Sequence, residues 1–438
     1  MAIFDTILSL ITLPAIVLGF IAMVGLLLQK KTAGDVFKGT LKTILGQLIL
    51  GIGITALINA LTPIQQFFEY GIPSGGFETF VTYDEAVVGA VQNTNLMNVG
   101  AEIAWTMLFG YIVHVLVSRV TKYRYIYLTG HMIWVHAGAF AILFHSFGFS
   151  TPVVVALASV LDGFYMTFAP ALAQPIMRKI TGSDEIAFGH GQTLLNMLGA
   201  WAGKLVGKPE DSSENVKIKE SFNFLRDMSV SISLIMLLVA FIGAGLALGQ
   251  IGTTGFAENI SGGQNWIVFT LLTALNFTAG VLVLLQGVRM LIAEITPAFK
   301  GIAEKLIPGA KPALDCPVIY PYAPNALIFG LISGTIGQVA SMVILALIGW
   351  PVPLPSMIAA FFASGAGAIF GNATGGRKGA WLGGFLWSFV GWFLISFAYK
   401  FQVFGDLSGL GAVGLGFTVP DAIVPGIVIW GIAKIFGF

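Results

Sequence analysis

The chain has 438 residues, 56% of them hydrophobic and only 10% charged, with a formal net charge of +1 and a mean hydropathy of +0.88. A soluble domain carries roughly 25% charged residues, so the composition excludes an ordinary soluble enzyme, and the near-zero charge argues against nucleic acid as a partner. A lone cysteine, Cys316, excludes a disulfide within one chain and any cysteine-held metal cluster.

A membrane-crossing helix needs about 20 mostly apolar residues. In chain order the candidate runs are 7–28, 42–62, 97–118, 125–147, 151–175, 227–249, 265–297, 324–350, 354–375, 379–399 and 420–437. That predicts an all-α polytopic membrane protein with about eleven crossings. The run 265–297 is too long for one straight crossing; it is tilted, broken or two pieces. Pro63, Pro297, Pro308 and Pro324 mark the ends of apolar runs. Asp5, with no basic stretch before the first run, reads as the start of a retained span, not a signal peptide.

Short loops with Lys and Arg stay on the cytoplasmic side. Lys30, Lys31 and Lys38 follow the first run; the acids Glu69, Glu78, Asp84 and Glu85 follow the second; Arg119, Lys122 and Arg124 follow the third. "GFST" after the fourth run is uncharged, and Arg178, Lys179 and the polar "GKPEDSSENVKIKES" follow the fifth. Lys300, Lys305 and Lys311 follow the seventh run, and Arg377 and Lys378 the ninth. This alternation predicts the N-terminus outside and the C-terminus inside.

Two stretches repeat. "LGIGITALINALTPI" from Leu50 and "LQGVRMLIAEITPAF" from Leu285 align Thr62-Pro63 with Thr296-Pro297, Gly53 with Gly287, Leu57 with Leu291 and Ile58 with Ile292. Ile72-Pro73 and Ile307-Pro308 follow, then Thr82-Tyr83-Asp84 in one copy and Asp315-Cys316 in the other. The copies sit an odd number of crossings apart, which predicts an inverted repeat with a substrate site between the halves. Residues 1–226 form the first half with a re-entrant segment, 227–400 the second, and 401–438 an added C-terminal span.

Several polar residues interrupt apolar surroundings. His131 and His136 lie in "YLTGHMIWVHAGAF"; each is either a helix-packing hydrogen-bond partner or a ligand contact, and Gly130 lets a substrate approach the backbone. "AFGHGQTLLNMLGAWAG" sets His190 and Gln192 among glycines, as a re-entrant hairpin lining a cavity or as an amphipathic surface helix. Asp315 sits in "PALDCPVIYPYAPNA", where prolines forbid a regular helix; it is either a ligand acceptor or a solvated loop acid. Thr82 and Tyr83 offer hydroxyls at the matching point of the first half. Glu102, Asp162, Arg289 and Glu294 also fall in spans, with Arg289 and Glu294 read as an interface pair or as snorkelling side chains. "GAGAIFGNATGGRKG" lacks the spacing of a phosphate loop and reads as close helix packing and a loop, and Gly330 and Gly334 fit a small-residue packing face.

The segments "KGTLKTILG" from Lys38, "TYDEA" from Thr82, "YLTGHMIW" from Tyr127, "FGHGQ" from Phe188, "QGVRMLIAEITPAFKGI" from Gln286, "LIPGAKPALDCPVIYPYAPNA" from Leu306 and "GTIGQ" from Gly334 resemble the membrane subunit IIC of the ascorbate-type phosphoenolpyruvate-dependent sugar phosphotransferase system, over most of the chain. The resemblance implies a bacterial inner-membrane homodimer. Each protomer has a V-shaped scaffold and a core domain with re-entrant hairpins that moves like an elevator. It implies that a small sugar or sugar acid binds outside and is handed inside to a separate IIB protein, charged by IIA, whose phosphocysteine phosphorylates it. It implies no catalytic residue, metal or cofactor in this chain; Cys316 lacks the soluble IIB context of a phosphorylated cysteine.

The family's binding positions look like Thr82, Tyr83, His131, His190 and Asp315 here. Two positions depart: Val135 and Gly191 stand where ascorbate-binding members have glutamine, and His136 and Gln192 are the polar neighbours that could substitute. Ascorbate is the implied ligand, with a pentitol, a hexitol or another sugar derivative as alternatives. A proton-coupled secondary transporter would share the repeat and the buried polar residues without needing IIB. The absence of His-Glu-x-x-His, Gly-x-Ser-x-Gly and a clustered acid pair argues against a membrane enzyme.

Overall fold

The computed structural model describes residues 14–71, 78–93, 99–216, 227–356, 358–410 and 414–437. Helices α1 (Pro14–Leu28) and α2 (Ala33–Gly71) lead into strand β1 (Thr79–Thr82), α3 (Asp84–Asn93), α4 (Gly100–Val120), β2 (Tyr125–Tyr127), α5 (Gly130–Ser146), α6 (Thr151–Thr181), β3 (Ala187–Phe188) and α7 (Thr193–Val206). The rest of the chain gives α8 (Met228–Phe256), α9 (Trp266–Leu306), β4 (Lys311–Leu314), a 3-10 turn (Cys316–Tyr322), α10 (Pro324–Leu347), β5 (Val352–Pro353), α11 (Ser364–Lys400), β6 (Leu415–Gly416) and α12 (Pro420–Ile435).

Six helical stretches among the described residues are long and apolar enough to cross a membrane: Gly100–Val120, Thr151–Thr181, Ile232–Ser261, Trp266–Val283, Pro324–Leu347 and Ala359–Lys400. Other predicted crossings fall on shorter helices, α1 with 15 residues, α5 with 17 and α12 with 16. Of the four marked prolines, Pro308 lies just past the end of α9 and Pro324 begins α10, while Pro63 and Pro297 lie inside helices. Helix α2 continues through Pro63 to Gly71, and the run 265–297 is the start of one 41-residue helix, α9, which extends past position 297. A proline removes one backbone hydrogen bond, and a long helix flanked by neighbours tolerates that loss as a bend. Ile72-Pro73 lies outside the described residues, as does the predicted boundary at 226.

Helix α11 folds back on itself. Gly376 adopts φ 59° and ψ −150°, a backbone state that a side chain disfavours. The limbs on either side pack antiparallel, with Gly371 against Gly379 and Gly367 against Gly383. These limbs carry the predicted crossings 354–375 and 379–399. Helix α7 lies parallel to the first limb, matching Gly199, Gly203 and Gly207 to Gly367, Gly371 and Gly375. Spacing by four keeps each row on one helix face. A Cβ at Gly203 or Gly371 would strike a facing carbonyl, so the glycines permit backbone-to-backbone approach. Gly330 and Gly334 of α10 likewise meet Ser364 and Gly365 of α11.

Short strands hold the breaks between helices. They form two parallel three-stranded sheets, ordered β5–β1–β6 and β2–β4–β3. Thr79 faces Val352, Val81 faces Leu415 and Thr82 faces Gly416 in the first; Tyr127 faces Ala313 and Phe188 faces Leu314 in the second. The central strand of each sheet is flanked by strands distant in the chain: β1 by the later β5 and β6, and β4 by the earlier β2 and β3. Non-helical backbone inside a membrane protein must find partners within the protein, and this exchange of strands supplies them.

Candidate functional site

The strands end where the polar residues begin. β1 runs into Thr82 and Tyr83, β3 into Gly189 and His190, and β4 into Asp315. His131 occupies the first turn of α5, just past β2. A cavity of about 230 Å³ collects Thr82, Tyr83, His131, His190, Gln192 and Asp315 along its wall. His131 Nδ1 lies 3.8 Å from Asp315 Oδ2, and His190 Nε2 lies 3.6 Å from Asp315 Oδ1. The two imidazoles meet edge to face, 5.5 Å between centroids. Asp315 is fixed by its own turn, accepting the Cys316 N–H at 2.6 Å.

Among the described residues, Thr82 Oγ1, Tyr83 Oη, His190 Nδ1 and Gln192 Oε1 are buried without a hydrogen-bond partner. An unmet buried polar group costs about 1–3 kcal/mol, and all four of these residues belong to the cavity wall. His131, His190 and Asp315 each present a ligand atom within 4.8 Å of the others. A tetrahedral zinc ion with bonds near 2.1 Å needs its ligand atoms about 3.4 Å apart, and the two His–Asp separations here are 3.8 and 3.6 Å. Sugar hydroxyls bridge such gaps without contraction.

A family model described as the PTS system sugar-specific permease component matches residues 7–422. The chain belongs to this permease family. An ascorbate-specific PTS system EIIC component from Mycoplasma pneumoniae is 27% identical over 403 residues, which covers 82% of this chain and 60% of that relative. The chain thus spans about three fifths of the length of the relative it matches.

Three expected site residues stand behind the cavity wall. Val135 is fully buried in the core. His136 gives its Nδ1 to the Met132 carbonyl at 2.9 Å and stacks on Tyr165, centroids 3.8 Å apart and planes within 9°. The Tyr165 hydroxyl in turn meets that of Tyr127 at 2.7 Å. Gly191 is pressed against this ring: a Cβ there would come within 2.6 Å of His136 Cε1 and 2.7 Å of Val419 Cγ1. In this chain His136 therefore occupies room that a longer side chain at 191 would need. Of the two polar neighbours of the departing positions, Gln192 reaches the cavity and His136 does not.

Sequence reasoning missed other wall residues. Asp84, Glu85, Arg289, Ser356 and Thr418 also line the cavity. The Arg289–Glu294 interface pair is not formed: Glu294 pairs with Lys42 at 3.4 Å, and Arg289 turns to the cavity. Asp84 accepts the backbone N–H groups of Thr418 at 2.6 Å and Val419 at 3.2 Å, and the Thr418 hydroxyl as well. It therefore closes the start of α12, where unpaired N–H groups attract a carboxylate. Asp421 repeats the device, accepting Thr193 N–H at 2.9 Å and Leu194 N–H at 2.8 Å at the start of α7, beside Gln192. "TYDEA" showed the acids, but nothing local pointed to partners more than 200 residues away.

Proposed function

We propose that this permease carries a small sugar acid or polyol, with L-ascorbate as the first ligand to test, from the outside and presents it inside for phosphorylation by a separate IIB protein that is itself charged by IIA. The observation that carries this reading is the convergence of His131, His190 and Asp315 with unpartnered hydroxyl and amide groups on one cavity walled by broken segments. Hydrogen-bonding groups of both kinds suit a compact polyhydroxylated solute. Trapping as the phosphorylated product keeps the inner concentration of free sugar low.

The exchange of strands between the two sheets supports an inverted repeat. The close pairing of α2 with α9 supports a scaffold distinct from the carrier that holds the sugar. On this reading the carrier moves past the scaffold as an elevator in a bacterial inner-membrane homodimer, with the N-terminus outside and the C-terminus inside.

The test is equilibrium binding of labelled L-ascorbate, a pentitol and a hexitol to the purified chain and to His131→Ala. We expect one of these ligands to bind the wild type and to lose at least about 10-fold in affinity in the variant. Unchanged affinity in folded His131→Ala would remove the site assignment.

A further inference from the structure

The cavity holds more acid than sugar binding uses. Among the described residues, Asp84, Glu85 and Asp315 line it, against one guanidinium, Arg289. Three carboxylates less one guanidinium leave two uncompensated negative charges if all are ionised. Their surroundings differ. Asp84 has three donors from Thr418 and Val419. Asp315 has the Cys316 N–H and faces two imidazoles. Glu85 is 6% exposed, stands next to Asp84 in the chain, and among the described residues receives a donor only from its own backbone N–H.

A buried carboxylate beside an ionised one is the costly form, and the least supported member of the set takes the proton. Glu85 belongs to α3, which at ten residues is too short to cross a membrane. Burial, and then the neighbouring Asp84 charge, push its carboxyl up to about 8. Among the described residues, the other titratable or charged groups on the cavity wall are Tyr83 beside it, His131 from α5, His190 before α7, Arg289 from α9, and Asp315 and Cys316 after β4. Arg289 is the only cation in this set.

We infer that Glu85 is a proton-binding site that lets the cavity accept an anionic sugar acid, so that each anion binds together with one proton while a neutral polyol binds independently of it. The proton sits on a Glu85 oxygen, and the ligand's negative charge replaces the one that Glu85 would have carried. Losing this proton restores the second negative charge and repels the anion. The inference rests on the sugar-acid reading above, yet the state of Glu85 can be read without any ligand.

Two measurements on the purified full chain test it. The first is L-ascorbate and hexitol affinity between about pH 6 and about pH 9, for wild type and Glu85→Gln. Wild-type ascorbate affinity should fall by ~10-fold per pH unit above the Glu85 titration. Hexitol affinity should stay level, and the ascorbate slope should vanish in Glu85→Gln. A flat wild-type ascorbate profile, or a slope retained in the variant, overturns the inference. The second is the infrared carbonyl band of a neutral carboxylic acid, recorded without ligand. It should be present in wild type at neutral pH, shifted in Glu85→Asp and diminished in Glu85→Gln. If none of the wild-type band belongs to residue 85, the proton placement is wrong. Ascorbate binding at no pH, with the Glu85 band intact, would instead sink the sugar-acid reading and leave the proton site standing.

Discussion

The two sheets present the same local geometry and give their acids opposite surroundings. Each central strand, β1 or β4, is flanked by two strands distant in the chain and runs into an acid within two residues of its end. After β1, Asp84 is 6% exposed and is consumed by the start of α12. After β4, the Asp315 side chain is 40% exposed to the cavity and stands between two imidazoles. A carboxylate with its lone pairs filled by backbone donors holds structure; one left with open acceptor positions is available to a ligand. Position in a repeated motif does not decide which acid does which. The number of donors around each one does.

That contrast can be broken by mutation. Asp315→Ala should cost about 100-fold in sugar affinity, as expected when a charged hydrogen-bond partner is lost, with little change in the thermal midpoint. Asp84→Ala should do the reverse. Three donors would be stranded at a buried helix start, costing about 2–4 kcal/mol of stability, and the affinity of a neutral hexitol should follow only as far as the fold loosens. Ligand titration and a thermal scan on both variants decide it. A destabilised Asp315→Ala with intact binding would mean that the roles are exchanged. Val135→Gln sharpens the same point at smaller amplitude. Position 135 is fully buried behind the wall, so the added amide should change ascorbate affinity by less than about 3-fold while costing about 1–3 kcal/mol of stability. A large gain in affinity would show that the amide reaches the ligand.

Much of the site was legible because membrane sequences make polar exceptions conspicuous. His131, His190, Gln192 and Asp315 each stand beside or near a glycine or proline, Thr82 and Tyr83 stand at the matching point of the repeat, and all six line the cavity. Glycine spacing in "GAGAIFGNATGGRKG" spoke for close packing, and Gly367 and Gly371 do pack on facing glycines. What was illegible depended on the fold. His136 and Gln192 looked equivalent as neighbours of departing positions, yet the direction of each side chain follows from local backbone, and His136 turns to Tyr165. Arg289 and Glu294 are five apart on one helix, which gave no reason to expect that Lys42 would claim the acid. Asp84 and Thr418 meet across 334 positions, beyond any periodicity.

The smallest effect is expected at a third acid, which has donors but little burial. Asp184, in the loop before β3, meets Arg178 Nε at 2.7 Å, Lys311 Nζ at 2.5 Å and Gln174 Nε2 at 2.8 Å. Arg178 first, then Lys311 and Gln174, hold its carboxyl well below the ordinary carboxylate range. A depressed folded-state value means that the contribution is fully present above the unfolded carboxyl's titration and is lost as pH falls through the folded one. The group is solvent-exposed, so screening keeps that contribution small. Asp184→Asn should therefore lower the thermal midpoint slightly at neutral pH, and the gap to wild type should close under strong acid and narrow in high salt. A gap that persists in both conditions would show that Asp184 works through packing at the β3–β4 junction, as the closed-in Asp84 does, and not through charge.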